Sequence, residues 1–353
     1  MSPNFSDNTN MDTIDFKKLS EQLRSELLRV NGWRKVVRTG SIAVYLFVFC
    51  WFMFVLFGGA LVSYIGLENY MQFTQYIIPV FIGFIVVNFV FTRCMTNFQE
   101  RESEAMQHIM STLFPTVYFS ASSQVDSRIL RDSKLFSASF SDPALAANTY
   151  GYIQFPHGEH SLHVADIGVS YGLLNKLQYN PVLGYFVMIY RFVLRPLFAS
   201  RLDSSPHNFR GMFGWCKIDK RFKGNIIILP DHLEQKIGYL AKNIQGLKKR
   251  YSARLLQLED QEFENYFAVY ADDEVEARML LTPAMMRHMT ALRQTFGCDI
   301  MLSFSRGTFY YAAVMPSGFL CVRPSALNDG KLLEDIYNDI SLSCKVAEEL
   351  RLN

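Results

Sequence analysis

Between Thr39 and Thr92 the chain carries one charged side chain, Glu68, and it separates two long apolar runs, 41–65 and 70–92. A helix that crosses a bilayer needs about 20 consecutive apolar residues, each rising 1.5 Å through roughly 30 Å of hydrocarbon. Core helices of water-soluble domains seldom stay uncharged that long. The pattern therefore predicts a two-helix transmembrane hairpin spanning 41–94, with residues 1–40 before it and a large remainder after it. Part of the 50% hydrophobic content of the 353 residues then belongs to lipid and not to a protein core.

Charge around the runs sets an expected orientation. Arg29, Arg34, Lys35 and Arg38 precede the first run, and Arg93 and Arg101 follow the second. The connection 66–75 holds no Lys or Arg. Basic flanks stay on the cytoplasmic side, so both termini are expected inside, at the inner membrane. A cleaved signal has a short charged start and 7–15 apolar residues; the long polar lead here predicts a retained anchor. The six cysteines, Cys50, Cys94, Cys216, Cys298, Cys321 and Cys344, form no C-x-x-C pair. Scattered thiols fit a reducing compartment. Cys94, next to the second run, could be acylated, although an inert thiol is the simpler reading. A net charge of only +2 argues against a nucleic-acid partner.

The remaining pattern is mixed. Phe16, Leu19, Leu23, Leu27 and Val30 recur every three or four residues, which predicts a helix near 12–30 that Asn31-Gly32 ends. Trp33 follows at the expected headgroup level. Phe98, Ala105, Ile109 and Leu113 share one face of a helical stalk expected within 95–140, stopped by Pro115 and able to pack against the first helix. A further helix is predicted over 123–136. Period-two patterning then starts: strands over 150–155 and 161–167 joined as a hairpin, strands over 212–219 and 225–229 joined through 220–224, and one over 253–258. Residues 259–267 read as helix or turn, and 277–281 stay ambiguous. Thr282 and Pro283 read as N-cap and first residue of a helix ending at Gly297. Strands at 299–305 and 308–314, turning at Arg306-Gly307, and a strand at 319–322 close a meander. A final helix is expected over 331–350. The expected fold class is α+β, with a mainly antiparallel sheet flanked by helices over 141–353.

Residues 181–199 form an apolar stretch broken by Arg191 and Arg195. Gly184, Met188 and both arginines share one helical edge, as in a helix lying in the membrane interface with cations toward lipid headgroups. A buried helix and a third span stay open.

Few residues point to chemistry. His157, His160 and His163 have ligand-type side chains, but a hairpin would turn positions 160 and 163 to opposite faces, so no metal or other cofactor is expected. Glu259, Asp260, Glu262, Glu264, Asp272, Asp273, Glu274 and Glu276 make an acidic belt, with Arg278, Arg287 and Arg293 as counter-charges. Carboxylates so grouped can bind ions or do acid–base work; a solvated face or a partner-binding surface built on Glu259, Glu262, Asp272, Asp273, Glu276 and Arg278 is the simpler expectation. Lys248, Lys249 and Arg250 could meet anionic lipid or merely solubilise a loop. No P-loop, G-x-S-x-G or H-E-x-x-H occurs.

Two stretches resemble a family. One is Phe209-Arg210-Gly211-Met212-Phe213 with Asp219, Phe222-Lys223-Gly224 and Leu229-Pro230-Asp231. The other runs from Leu258-Glu259-Asp260 through Glu262-Phe263-Glu264, Phe267, Val269-Tyr270, Asp272-Asp273 and Glu276-Ala277-Arg278 to Leu281-Thr282-Pro283. Together they are similar to the bacterial membrane proteins of domain of unknown function family 3137, over about residues 90–315. The resemblance implies a two-span hairpin and a cytoplasmic domain. It implies no activity, so no catalytic residue is carried over. The expected role is a membrane-anchored interaction domain that binds a protein or lipid partner or self-associates. A metal-dependent hydrolase and a subunit of an oligomeric channel or transporter are the alternatives.

Overall fold

The computed structural model describes residues 16–65, 77–115, 117–136, 146–157, 160–170, 177, 180, 183–190, 209–218, 224–230, 254–316, 318–320 and 333–341. The chain divides into two compact units. A sheet unit comprises 1–22, 106–171 and 207–353, and a helical unit comprises 23–105 and 172–206.

Two continuous helices, α1 (Phe16–Ile65) and α2 (Ile77–Leu113), supply most of the helical unit, and their end turns at 16–22 and 106–113 belong to the sheet unit. At 1.5 Å per residue α1 is about 75 Å long. They run antiparallel: Gly40 faces the Phe91 ring, Arg34 lies over Phe98 and pairs with Glu102 at 2.9 Å, and Arg101 lies over Trp33. The stripe read from the sequence is the buried one, since Leu23, Leu27, Val30 and Val37 are all covered. Asn31-Gly32, expected to end the first helix, lies inside it. A glycine stops a helix when it takes the left-handed conformation, and Gly32 does not. Its helix penalty of about 1 kcal/mol is outweighed by packing on both sides. Among the described residues no helix is long and apolar enough to cross a membrane; the side chains of 51–63 and 77–81, and all of 66–76, lie outside them. Of the 181–199 stretch, a helix α4 (Leu183–Ile189) is described, and Arg191 and Arg195 lie outside the described residues.

The sheet unit is built on nine antiparallel strands: β1 (Tyr118–Ser120), β2 (Ala146–His157), β3 (His160–Ser170), β4 (Phe209–Lys217), β5 (Ile226–Pro230), β6 (Arg254–Leu256), β7 (Phe267–Ala271), β8 (Ile300–Ser305) and β9 (Thr308–Val314). Their order across the sheet is β1-β2-β3-β4-β9-β8-β5-β7-β6. The two hairpins read from the sequence are present, β2–β3 with His157 opposite His160, and β8–β9 with Ser305 opposite Thr308. The expected neighbours β4 and β5 are not neighbours. β4 lies between β3 and β9, and β5 between β8 and β7. Alternation fixes which face a side chain takes, not which strand lies alongside.

Every residue of β5 and β8 is buried, so both faces of the sheet centre are covered. One face is capped by α3 (Ser127–Asp132), whose N-cap is Asp126. The longer helix expected over 123–136 stops early because Lys134 takes a left-handed φ of 59°. The chain there turns Leu135 and Phe136 into the core, and the Phe136 ring meets Phe209 and Phe213 at 4.8 and 5.5 Å. Three further helices follow: α5 (Gln261–Glu264), α6 (Glu274–Leu280) and α7 (Pro283–Phe296). A last helix, α8, occupies 333–341, inside the 331–350 expected. Residues 318–320 are not strand, contrary to the reading of 319–322.

Gly211 sits where β4 and β9 meet, with φ 154°; a Cβ there would stand 2.1 Å from the Ala313 carbonyl oxygen. No side-chain rotation relieves a clash with backbone. Gly211→Ala is expected to cost about 3 kcal/mol, read as a shift of the urea midpoint; an unchanged midpoint would contradict this strand spacing.

Candidate functional site

The acidic belt lies between β6 and α7, and most of its carboxylates serve backbone N–H groups. The first turn of a helix leaves such groups without partners, and Asp, Asn, Ser or Thr just before it accepts from them. Asp260 caps α5 by accepting from Phe263 N–H at 3.1 Å, and Asp273 caps α6 by accepting from Val275 and Glu276 N–H at 2.8 and 3.2 Å. Thr282 caps α7 through Met285 N–H, with Pro283 as its first residue and Gly297 left-handed at its end. Other acids act over longer range. Glu264 accepts Leu258 N–H at 2.6 Å, Asp272 accepts both the N–H and the side-chain amide of Asn225, and Glu276 accepts Gly224 N–H at 2.8 Å. The last two hold the entry to β5. Arg278 donates to Glu274 and to the Gln257 carbonyl oxygen, tying α6 to the residue that follows β6. Among the described residues Glu262 accepts a single long bond, 3.4 Å from Gln294. Glu259 is exposed and makes no hydrogen bond among the described residues.

These caps frame a cleft of about 650 Å³. Leu258, Glu259, Asp260 and Gln261 line it from one stretch, and Arg278, Leu281, Pro283 and Met286 from another. Leu281 and Met286 are buried, so the lining combines apolar surface with the exposed Glu259 and Arg278. Of the six expected partner-binding residues, Glu259 and Arg278 line the cleft; Asp272, Asp273 and Glu276 are engaged in caps and struts, and Glu262 bonds Gln294 on α7.

A second cluster stands on the sheet. His163 stacks on Trp215, its cross-strand partner, at 5.0 Å, and its Nδ1 is 2.5 Å from the Tyr152 hydroxyl. Burial lowers the imidazole's pKa, and the nearby Lys217 lowers it further. A neutral ring accepting the Tyr152 O–H fits both. The backbones of His157 and His160 are paired, but their side chains lie outside the described residues. Among the described residues no group of three or more His, Cys, Asp or Glu is placed to hold a metal ion.

The third cluster was not expected from the sequence. Asp166, in β3, is fully buried. Its Oδ2 accepts from Arg210 at 2.9 Å and from the N–H groups of Phe319 and Leu320 at 3.2 and 3.1 Å. Its Oδ1 lies 2.7 Å from Arg210 Nη1 as an ion pair without a directed hydrogen bond. Arg210 in turn lies 3.6 Å over the Tyr150 ring. Burial pushes the Asp166 carboxyl up, and Arg210 and the two N–H groups pull it back. The arrangement anchors 319–320 across the sheet. A lone Asp within an apolar strand was the available signal.

Fold and clusters define an α+β protein whose described residues form an antiparallel nine-stranded sheet and a capped, mixed-polarity cleft. Residues 207–352 match the family described as a protein of unknown function (DUF3137), and over that stretch the chain resembles it. The match begins at β4 and takes in both family-like stretches, so it starts later and ends later than the 90–315 expected. No curated protein and no solved structure matches. Lys248, Lys249 and Arg250 lie outside the described residues.

Asp166→Ala leaves Arg210 and two N–H groups buried without their partner and is expected to destabilise the fold by about 3–5 kcal/mol. Asp273→Ala removes only a cap, about 1 kcal/mol. Chemical denaturation of both variants ranks them, and equal effects would contradict the clasp. For His163 the folded pKa lies below the unfolded value of about 6.5, so the unfolded state binds the extra proton. Stability is therefore full above about pH 6.5 and falls as pH drops through the lowered value. His163→Gln should flatten the melting-temperature profile as the pH falls below about 6.5; the same slope in both proteins would refute the assignment.

Proposed function

We propose that the chain is an integral membrane protein whose helical hairpin anchors a cytoplasmic sheet unit, and that this unit docks a protein partner in the cleft between 258 and 286. The cleft is the observation that carries the docking role. It sets the accessible apolar Leu258 and Pro283 beside the exposed Glu259 and Arg278, over a floor at the buried Leu281 and Met286, while most of the neighbouring carboxylates are occupied by backbone N–H groups and so are poorly placed for acid–base work. A few convergent charges on an apolar lining are what a binding site needs for orientation and specificity.

The anchor is supported by exposure. Ile82, Val86, Val87, Phe89 and Val90 on α2 are all more than half exposed, and Ile42, Leu46 and Phe47 on α1 are exposed too. Water-facing helices do not carry such a run of large apolar side chains, and lipid is the solvent that suits it. The basic residues before the first run and after the second favour an inside location for both ends at the inner membrane.

Two measurements test this reading. The protein should stay in the membrane through alkaline carbonate washing and come out only with detergent; recovery in the wash removes the anchor. A photo-crosslinking residue at Gln261 should give a discrete adduct in cells that a control at exposed Thr295 does not. Glu259→Lys and Arg278→Glu should abolish that adduct while changing stability by no more than about 1 kcal/mol. Adduct formation indifferent to both substitutions removes the cleft as the docking site.

A further inference from the structure

The helix at 333–341 has an apolar side formed by Leu333, Ile336 and Ile340, all fully buried. Tyr337 sits beside this side and makes two ring contacts at once. It stacks on Phe114 with centroids 5.2 Å apart and planes 14° apart, and it meets Phe16 edge-on at 5.7 Å and 63°. Phe16 is the first residue of α1, and Phe114 follows the last residue of α2. One side chain near the C-terminal end therefore touches both legs of the helical hairpin at their base. All three rings lie in the sheet unit. The same unit holds the chain ahead of this helix, because Asp166 binds the N–H groups of Phe319 and Leu320.

We propose that Tyr337 is a coupling ring, so that the docking of α8 and the spacing of the two helix ends at Phe16 and Phe114 form one two-state equilibrium. When the ring sits between the phenylalanines, both ends are held. When it leaves, α8 is loosened and the ends are free to separate. Packed aromatic contacts switch between discrete arrangements and do not stretch continuously. The docked state needs both partners, so any event that moves one helix end biases α8, and anything that binds α8 biases the helix ends by the same factor. Either ring pair adds to plain area burial. Losing both raises the undocked population about tenfold or more.

The test uses the full chain in lipid nanodiscs. Spin labels on cysteines introduced at exposed Glu21 and Gln107, in a background without native cysteines, read the spacing of the ends. Hydrogen exchange over 333–341 reads docking. Tyr337→Ala should broaden the Glu21–Gln107 distance distribution and lower protection of 333–341 about tenfold, with β8 and β9 still protected. Tyr337→Phe keeps the ring and should match the parent in both readouts. Phe114→Leu keeps an apolar side chain without the stack, and it should shift both readouts together by an intermediate amount; this variant decides the matter if Tyr337→Ala fails to fold. Loss of protection with an unchanged distance distribution, a Tyr337→Phe protein that behaves like Tyr337→Ala, or a Tyr337→Ala protein identical to the parent would each overturn the proposal.

Discussion

A sheet whose inner strands are covered on both faces leaves no water for a charge, and among the described residues Asp166 is the charged side chain buried in it. Desolvation of a carboxylate is expensive unless ion pairing and hydrogen bonds replace the lost water. Here Arg210 and the two N–H groups of Phe319 and Leu320 do so. The arrangement has a topological consequence. The chain leaving β9 must pass over β3 in one position, because only there do its N–H groups meet the buried carboxylate. The position of 319–320 thus follows from one buried acid.

The acidic belt shows how a charge pattern can belong to the fold. Asp260 and Asp273 begin short helices, and Asp272 and Glu276 reach across to Gly224 and Asn225 at the mouth of β5. Two short helices, α5 and α6, flank β7 ahead of the longer α7, with little helix of their own to stabilise them. Helices of four and seven residues cannot persist by propensity, so their first turns depend on caps and on burial of residues such as Phe263 and Ala277. The cleft is a by-product of that packing. It is lined by the exposed Glu259, which makes no hydrogen bond among the described residues, and by the exposed Arg278, whose guanidinium bonds Glu274 and the Gln257 carbonyl.

Part of this was legible beforehand. Thr282-Pro283 and Gly297 mark both ends of α7, and Arg306-Gly307 the turn between β8 and β9, because caps and tight turns depend on a few adjacent residues. The stripe of Leu23, Leu27 and Val30 was legible because helical periodicity is local. The end of the first helix at Gly32 was misread, since continuing packing outweighs one glycine. β7 was missed because four of its five residues are buried, which hides the alternation, and they follow an acidic stretch that reads as helix or turn. For the candidate site, the belt and Arg278 were legible as a cluster, but which acids face a cleft and which cap a helix depends on the partners of Gly224, Asn225 and Leu258.

By itself, the sequence determined the antiparallel α+β class, the two long apolar runs, the amphipathic stripes and the residues that start and stop α7, all of which rest on neighbours a few positions apart. Only the tertiary structure decided that β5 lies between β8 and β7, that Asp166 clasps 319–320, and that Tyr337 meets Phe16 and Phe114. Those contacts join residues far apart in the chain, and periodicity carries no information about which distant segment supplies the partner.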